Sequence, residues 1–146
     1  MQELTIRTTV DVHATASEAW SLLGEGFGDW ANWAPGIEQS TLQGPLQAGV
    51  LRVNKAPSLG TVTQELVVYE PAKRELAYEM REGLPPFLEK LRNDWVVEEV
   101  EGKARLRGVA VFGLRDAAAP KRPEIEAKMS AVLDGFAAAF KTALES

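Results

Sequence analysis

His13 is the only histidine in the chain, and there is no cysteine. A serine or cysteine nucleophile needs a base beside it. His13 stands on the parity opposite Leu4, Ile6, Val10 and Val12, so it is expected in solvent, away from any such partner. Disulfides, thiolate chemistry and cysteine or multi-histidine metal sites are excluded by the same counts. No G-x-S-x-G occurs, and Gly24-Glu25-Gly26-Phe27-Gly28 has neither the spacing nor the strand-to-helix context of a phosphate-binding loop. Most carboxylates, Glu65, Glu75 and Glu79 among them, fall at outward parities or in turns and read as a solvated face. The chemistry left on the apolar side is uncharged. Gln64, Tyr78 and Asn93 ride with apolar residues, and a few placed polar groups in an apolar setting are the usual recipe for a small-ligand site.

The elements that must position these groups are readable from period and punctuation. Leu4 to Val12 alternates as a strand. Thr15-Ala16-Ser17-Glu18 fits a capping box opening a short helix through Ala19, Trp20, Leu22 and Leu23 that stops at Gly24. Phe27 to Trp33 suits one or two helical turns leaning on a core through aromatic side chains. Six strands follow over Ile37–Gln43, Val50–Lys55, Thr61–Tyr69, Arg74–Arg81, Leu91–Val100 and Ala104–Leu114, separated by Gly/Pro turns. Short turns between sequential strands imply an antiparallel meander. Pro123 to Leu144 forms a helix of about 22 residues, with Ile125, Met129, Val132, Leu133, Phe136, Phe140 and Ala143 as its apolar stripe.

The 146 residues suit one domain, residues 1–146, with 45% hydrophobic and 25% charged residues as in an ordinary globular chain. Lys+Arg 16 against Asp+Glu 21 gives a net charge of −5 with no basic cluster. Nucleic acid is therefore not expected as a partner. No apolar run is long enough to span a bilayer. The N-terminus lacks the basic start and apolar middle of a signal peptide, which points to a cytoplasmic protein. No cofactor and no metal is expected, and a homodimer stays open.

The order is α+β: one strand, two short helices, six strands and a long helix. One helix covers a seven-stranded sheet only if the sheet curls around it, and such a grip leaves a gap suited to a small molecule. Strand parity assigns Val62, Gln64, Leu66, Tyr78, Met80, Asn93, Trp95 and Phe112 to the gap, with Met129, Leu133 and Phe136 from the helix. Trp33 is included from the short turns, where Trp30 and Trp33 also read as packing anchors.

The run Val12-His13-Ala14-Thr15-Ala16-Ser17-Glu18-Ala19-Trp20-Ser21-Leu22-Leu23 resembles the opening of the SRPBCC superfamily, which includes START domains, plant pathogenesis-related allergens and polyketide cyclases. Trp33-Ala34-Pro35-Gly36-Ile37, Gly49-Val50-Leu51-Arg52, Gly60 to Leu66, Tyr69-Glu70-Pro71 and Leu76 to Met80 are similar to successive segments of its bacterial cyclase/dehydrase-like branch. The resemblance implies the START-like helix-grip fold. It adds Arg52 to the lining, because the third strand of the family commonly carries an arginine there, although Leu51 and Val53 compete for the inward face. It implies a wider cavity at Gly108, where the family often has a large residue, although a glycine in a strand can equally mark a bend. It also puts the Gly83–Leu88 loop at the cavity mouth as a gate, with Leu84 and Phe87 touching the ligand or capping an empty pocket.

Three functions remain open. The first is binding of a small hydrophobic or amphipathic molecule of lipid, polyketide or aromatic type. The second is a cofactor-independent cyclase, dehydratase or isomerase in which Arg52, Tyr78 and Asn93 hold a carbonyl and its developing charge. The third is a protein-interaction module with a collapsed cavity, its contacts made by Trp30, Trp33 and the Leu84–Leu88 loop.

Overall fold

A computed structural model describes residues 1–146. Strand β1 (Gln2–Val12) turns Leu4, Ile6, Thr8 and Val12 inward on alternate positions. The capping box forms: Glu18 N donates to Thr15 Oγ1 and Thr15 N donates to Glu18 Oε1, both at 3.1 Å. It starts the five-residue helix α1 (Ala16–Trp20). The chain does not stop at Gly24 as expected but continues as a π turn over Ser21–Glu25 and a 3₁₀ segment over Phe27–Asn32. Gly24 lacks the left-handed φ that ends a helix; it serves instead to admit the indole of Trp20, which a Cβ there would meet at 2.3 Å.

The remaining strands are β2 (Gln39–Leu42), β3 (Leu51–Ala56), β4 (Gly60–Glu70), β5 (Glu75–Glu82), β6 (Leu88–Val100) and β7 (Lys103–Leu114). They form one antiparallel sheet in the order β1-β7-β6-β5-β4-β3-β2. The β6–β7 hairpin closes through Glu101 (φ 54°) and Gly102 (φ 81°), the paired positive φ of a two-residue turn that follows the twist of the sheet. Two register shifts between β4 and β5, at Thr63/Gln64 and Leu66/Val68, bend the sheet at its centre, because an extra residue on one strand adds local twist.

Helix α2 (Arg122–Glu145) has 24 residues, about 36 Å at 1.5 Å per residue. It runs alongside β1 for its whole length. Arg122 Nη2 donates to Glu3 O at 2.9 Å, Thr8 Oγ1 to Asp134 Oδ1 at 2.7 Å, Lys141 Nζ to Asp11 O at 3.3 Å, and His13 N to Glu145 Oε2 at 2.9 Å. Its buried residues are Leu133, Ala137 and Phe140. Val132, expected in the apolar stripe, is 59% exposed, since one residue off Leu133 is about 100° around the helix. Curved sheet and long helix together make the helix-grip fold. No helix is long and apolar enough to cross a membrane.

Candidate functional site

The antiparallel register arranges the concave face into rows. One row runs Leu66, Tyr78, Asn93, Ala110 and Ile6 across β4, β5, β6, β7 and β1. The next runs Leu76, Trp95, Gly108 and Thr8. At the other side, Leu42, Arg52, Gln64 and Met80 lie across β2 to β5.

Arg52 is the residue this arrangement singles out. It is 0% exposed, whereas Leu51 and Val53 are only partly buried, so β3 turns its Arg52/Asn54 parity inward. Its Nε and Nη2 donate to Gln64 Oε1 at 3.0 and 2.5 Å, and its Nη1 donates to Phe27 O at 2.8 Å. Asn54 Nδ2 donates to the same Gln64 oxygen at 3.1 Å, which leaves Asn54 Oδ1 buried without a partner. The guanidinium carbon lies 3.8 Å from the Phe27 ring centre, 4.2 Å from Trp30 and 5.1 Å from Tyr78. Desolvated cation–π contacts of this kind contribute up to about 2 kcal/mol or more. Burial pushes the Arg52 pKa down to about 10, so the group is a cation at neutral pH. Burial raises the Tyr78 pKa, and the nearby guanidinium opposes it, so Tyr78 stays a phenol that can donate a proton. Trp95 Nε1 donates to Tyr78 Oη at 3.4 Å.

The centre of the hollow is aromatic. Phe136 from α2 sits 4.6 Å from Trp95, 5.0 Å from Trp30 and 4.9 Å from Trp33, centre to centre. These are contact distances for rings, so nothing fits between them as they stand. Trp30 is anchored by Nε1 donating to Leu23 O at 3.0 Å, while Trp33 Nε1 is buried with no acceptor. The widening expected at Gly108 is taken up by Trp95, which stands directly opposite; a Cβ on Gly108 would meet its ring at 2.3 Å.

The other lining candidates fall into two groups. Val62, Gln64, Leu66, Tyr78, Asn93, Trp95, Phe112 and Leu133 are buried. Trp33, Met80, Leu84, Phe87, Met129 and Phe136 are half-buried. The Gly83–Leu88 loop is tied down by Arg115, whose N donates to Phe87 O and whose Nε donates to Pro86 O, both at 3.0 Å. Sequence reasoning missed Asn54 and the contribution of Phe27. Asn54 carried a signal, because it shares the parity of Arg52; Phe27 lies in a segment without periodicity.

Two further concavities lie elsewhere. One of about 450 Å³ is lined by Asp11, His13, Glu101, Lys103 and Arg105, where Lys103 Nζ stands 3.1 Å from the exposed His13 Nδ1. One of about 300 Å³ involves Val68, Glu75, Asp94, Val96, Arg107 and Val109. No three His, Asp or Glu side chains come together to hold a metal ion.

Known structures share this architecture. A protein from Thermobifida fusca is 27% identical over 90% of this chain and 84% of its own, with a TM-score of 0.72. XoxI from Bacillus cereus is 20% identical over 100% and 97%, with a TM-score of 0.80. Norcoclaurine synthase from Thalictrum flavum, in complex with dopamine and hydroxybenzaldehyde, is 15% identical over 97% and 86%, with a TM-score of 0.76. No curated protein matches the sequence. Residues 3–145 match the family described as polyketide cyclase / dehydrase and lipid transport, and with nearly every residue included the chain belongs to that family.

Proposed function

We propose that the protein binds a small hydrophobic or amphipathic molecule, of lipid, polyketide or aromatic type, between the concave face of the sheet and α2. One observation carries the reading: over a buried cation the concave face is closed by aromatic side chains reaching in from the 3₁₀ segment Phe27–Asn32 and from α2. Seven strands at about 4.8 Å spacing span far more than the ~10 Å width of one helix. α2 follows β1, and beyond it Trp30 and Trp33 pack against Phe136 of the helix. Rings that are only half-buried, as Trp33 and Phe136 are, change rotamer without breaking a strand or a helix. The family description and the aromatic ligands of norcoclaurine synthase support the same class of guest.

A saturable site for the neutral probe N-phenyl-naphthylamine, with quenching of tryptophan emission, is the expected result for the wild type. Phe136→Ala should bind it several-fold more tightly, since the deleted ring leaves an apolar space of about benzene size. Absence of saturable binding in both proteins overturns the reading and favours the interaction module.

A second reading, a cofactor-independent cyclase or dehydratase, is favoured by one contact. Tyr78 is a protonated phenol beside a fixed cation, a pairing that can donate a proton to a carbonyl and hold the charge that develops on it. Turnover lost in Tyr78→Phe with probe binding retained would establish it.

A further inference from the structure

Five arginines on the outer face of the sheet or just beyond its end have a carboxylate. Arg81 pairs with Glu65 and Glu79, Arg92 with Glu79 and Asp94, Arg105 with Asp11, Arg107 with Glu98, and Arg115 with Glu89. All of these are solvent-exposed to a substantial degree. Arg52, the one arginine taken wholly out of water, has none: its acceptors are a neutral amide oxygen and a backbone carbonyl. Removing a cation from water is costly unless an anion and good hydrogen bonds compensate. A chain with five more acidic than basic residues has placed no acid here.

We propose that the missing anion belongs to the ligand, which is a monocarboxylate with an apolar body, its carboxylate on Arg52 and its body among the rings of Trp30, Trp33, Trp95 and Phe136. This rests on the binding reading above and adds the charge and chemical class of the guest. Three observations converge on it. A guanidinium has five N–H groups; three go to Gln64 and Phe27, and the Tyr78 hydroxyl stands beside the group, so at most one on Nη1 and one on Nη2 are left for a guest. Donors on two nitrogens of one guanidinium can meet the two oxygens of a planar carboxylate. The rings of Phe27, Trp30 and Tyr78 crowd the guanidinium, which favours a flat anion meeting it edge-on over a tetrahedral one. Further donors stand in the same aromatic cluster: the Tyr78 hydroxyl, and Trp33 Nε1, which is buried with no acceptor of its own.

The test uses matched pairs of equal size, decanoate against decanol and naphthoate against naphthamide, titrated into the full chain by tryptophan fluorescence at neutral pH. In at least one pair the acid is expected to bind about tenfold or more tightly than its neutral partner, the range for a charge-assisted bidentate contact. Arg52→Met should abolish that preference while still binding the neutral partner. If the neutral member of each pair binds as well as the acid, the carboxylate assignment falls and the hydrophobic-binding reading stands. If no member of either pair binds, both fall. If Arg52→Met keeps the preference, the anion lies elsewhere and the proposal is wrong. Should that variant fail to fold, carbon-13 NMR of the bound carboxylate in the wild type decides. A bound pKa below that of the free acid supports contact with the guanidinium, and one at or above it overturns the proposal.

Discussion

Along β1 and β7 the hollow is sealed by α2, with hydrogen bonds from helix to strand at Glu3, Thr8, Asp11 and His13 and an apolar layer of Leu4, Ile6, Leu106, Ala110, Leu133 and Phe140. Along β3, β4 and β5 it is sealed by rings from a short irregular segment, over a buried cation, two amides and a phenol. The first flank is fixed by backbone-level ties and satisfied contacts. The second holds a charge without a counter-ion, a buried Asn54 oxygen and a Trp33 N–H without partners. Both flanks hold fully buried apolar side chains, but the unmet polar demand around Arg52 belongs to the second. A protein that only needed to fold would gain little from the second arrangement.

The strongest way to break this contrast is to remove apolar volume from each side. Leu106 is fully buried on β7, and Leu106→Ala should cost about 2–5 kcal/mol, read as a fall in Tm and in the denaturation midpoint. Phe136→Ala removes more atoms but from a half-buried site, and should cost less than Leu106→Ala while improving probe binding. If Phe136→Ala were the more destabilising, the second flank would be core like the first.

Between these extremes lies Gly108→Ala, at the boundary where Trp95 crosses β7. The new methyl would overlap an indole atom at 2.3 Å, so the ring must shift. The expected loss is about 1–3 kcal/mol, with a change in near-UV circular dichroism from the displaced tryptophan. An unchanged spectrum and Tm would show that Trp95 has room to move, and the aromatic fill would then be looser than its ring distances indicate.

Much of this contrast was legible before any coordinates. Alternation alone turned Leu66, Tyr78, Asn93 and Trp95 inward, because each strand here has one water-facing and one core-facing side. The helix-grip order followed from one long amphipathic helix after six strands. Arg52 was not decided by alternation, because both parities of β3 contain apolar residues. What decides it is non-local: the Gln64 amide across the strand pair and the Phe27 carbonyl 25 residues upstream. The same limit hid the closing of the hollow. Periodicity says which way Trp95 and Phe136 point, but only ring-to-ring distances say that they meet.

Arg52→Met sharpens the comparison by sign more than by size. Replacing a buried unpaired cation with an apolar side chain of similar volume should leave the protein as stable or more stable, by up to a few kcal/mol, at neutral pH. The pH dependence has a defined direction. Burial lowers the folded-state pKa from the ordinary guanidinium value to about 10, so between those two values the unfolded chain binds the extra proton and the stability of the wild type rises with pH. The advantage of the variant should therefore be constant from neutral pH to about pH 9 and shrink above pH 10. A variant much less stable than the wild type at neutral pH would mean that the ring cage and Gln64 already compensate the charge.

Arg81→Met is the control on the outer face. Arg81 Nε donates to Glu65 at 3.0 Å and its Nη1 to Glu79 at 2.8 Å, and both carboxylates raise its pKa. Its acceptors are two anions, where those of Arg52 are two neutral oxygens. Yet its side chain is 43% exposed, so water and salt screen the attraction, and Arg92 remains to hold Glu79 at 3.2 Å. The expected change is within about 0.5 kcal/mol in thermal denaturation, smaller still at high salt, with no effect on probe binding. A loss comparable to that of Leu106→Ala would mean that position relative to water does not govern what an arginine contributes here. The argument that the bare cation of Arg52 is kept for a guest would then lose its contrast.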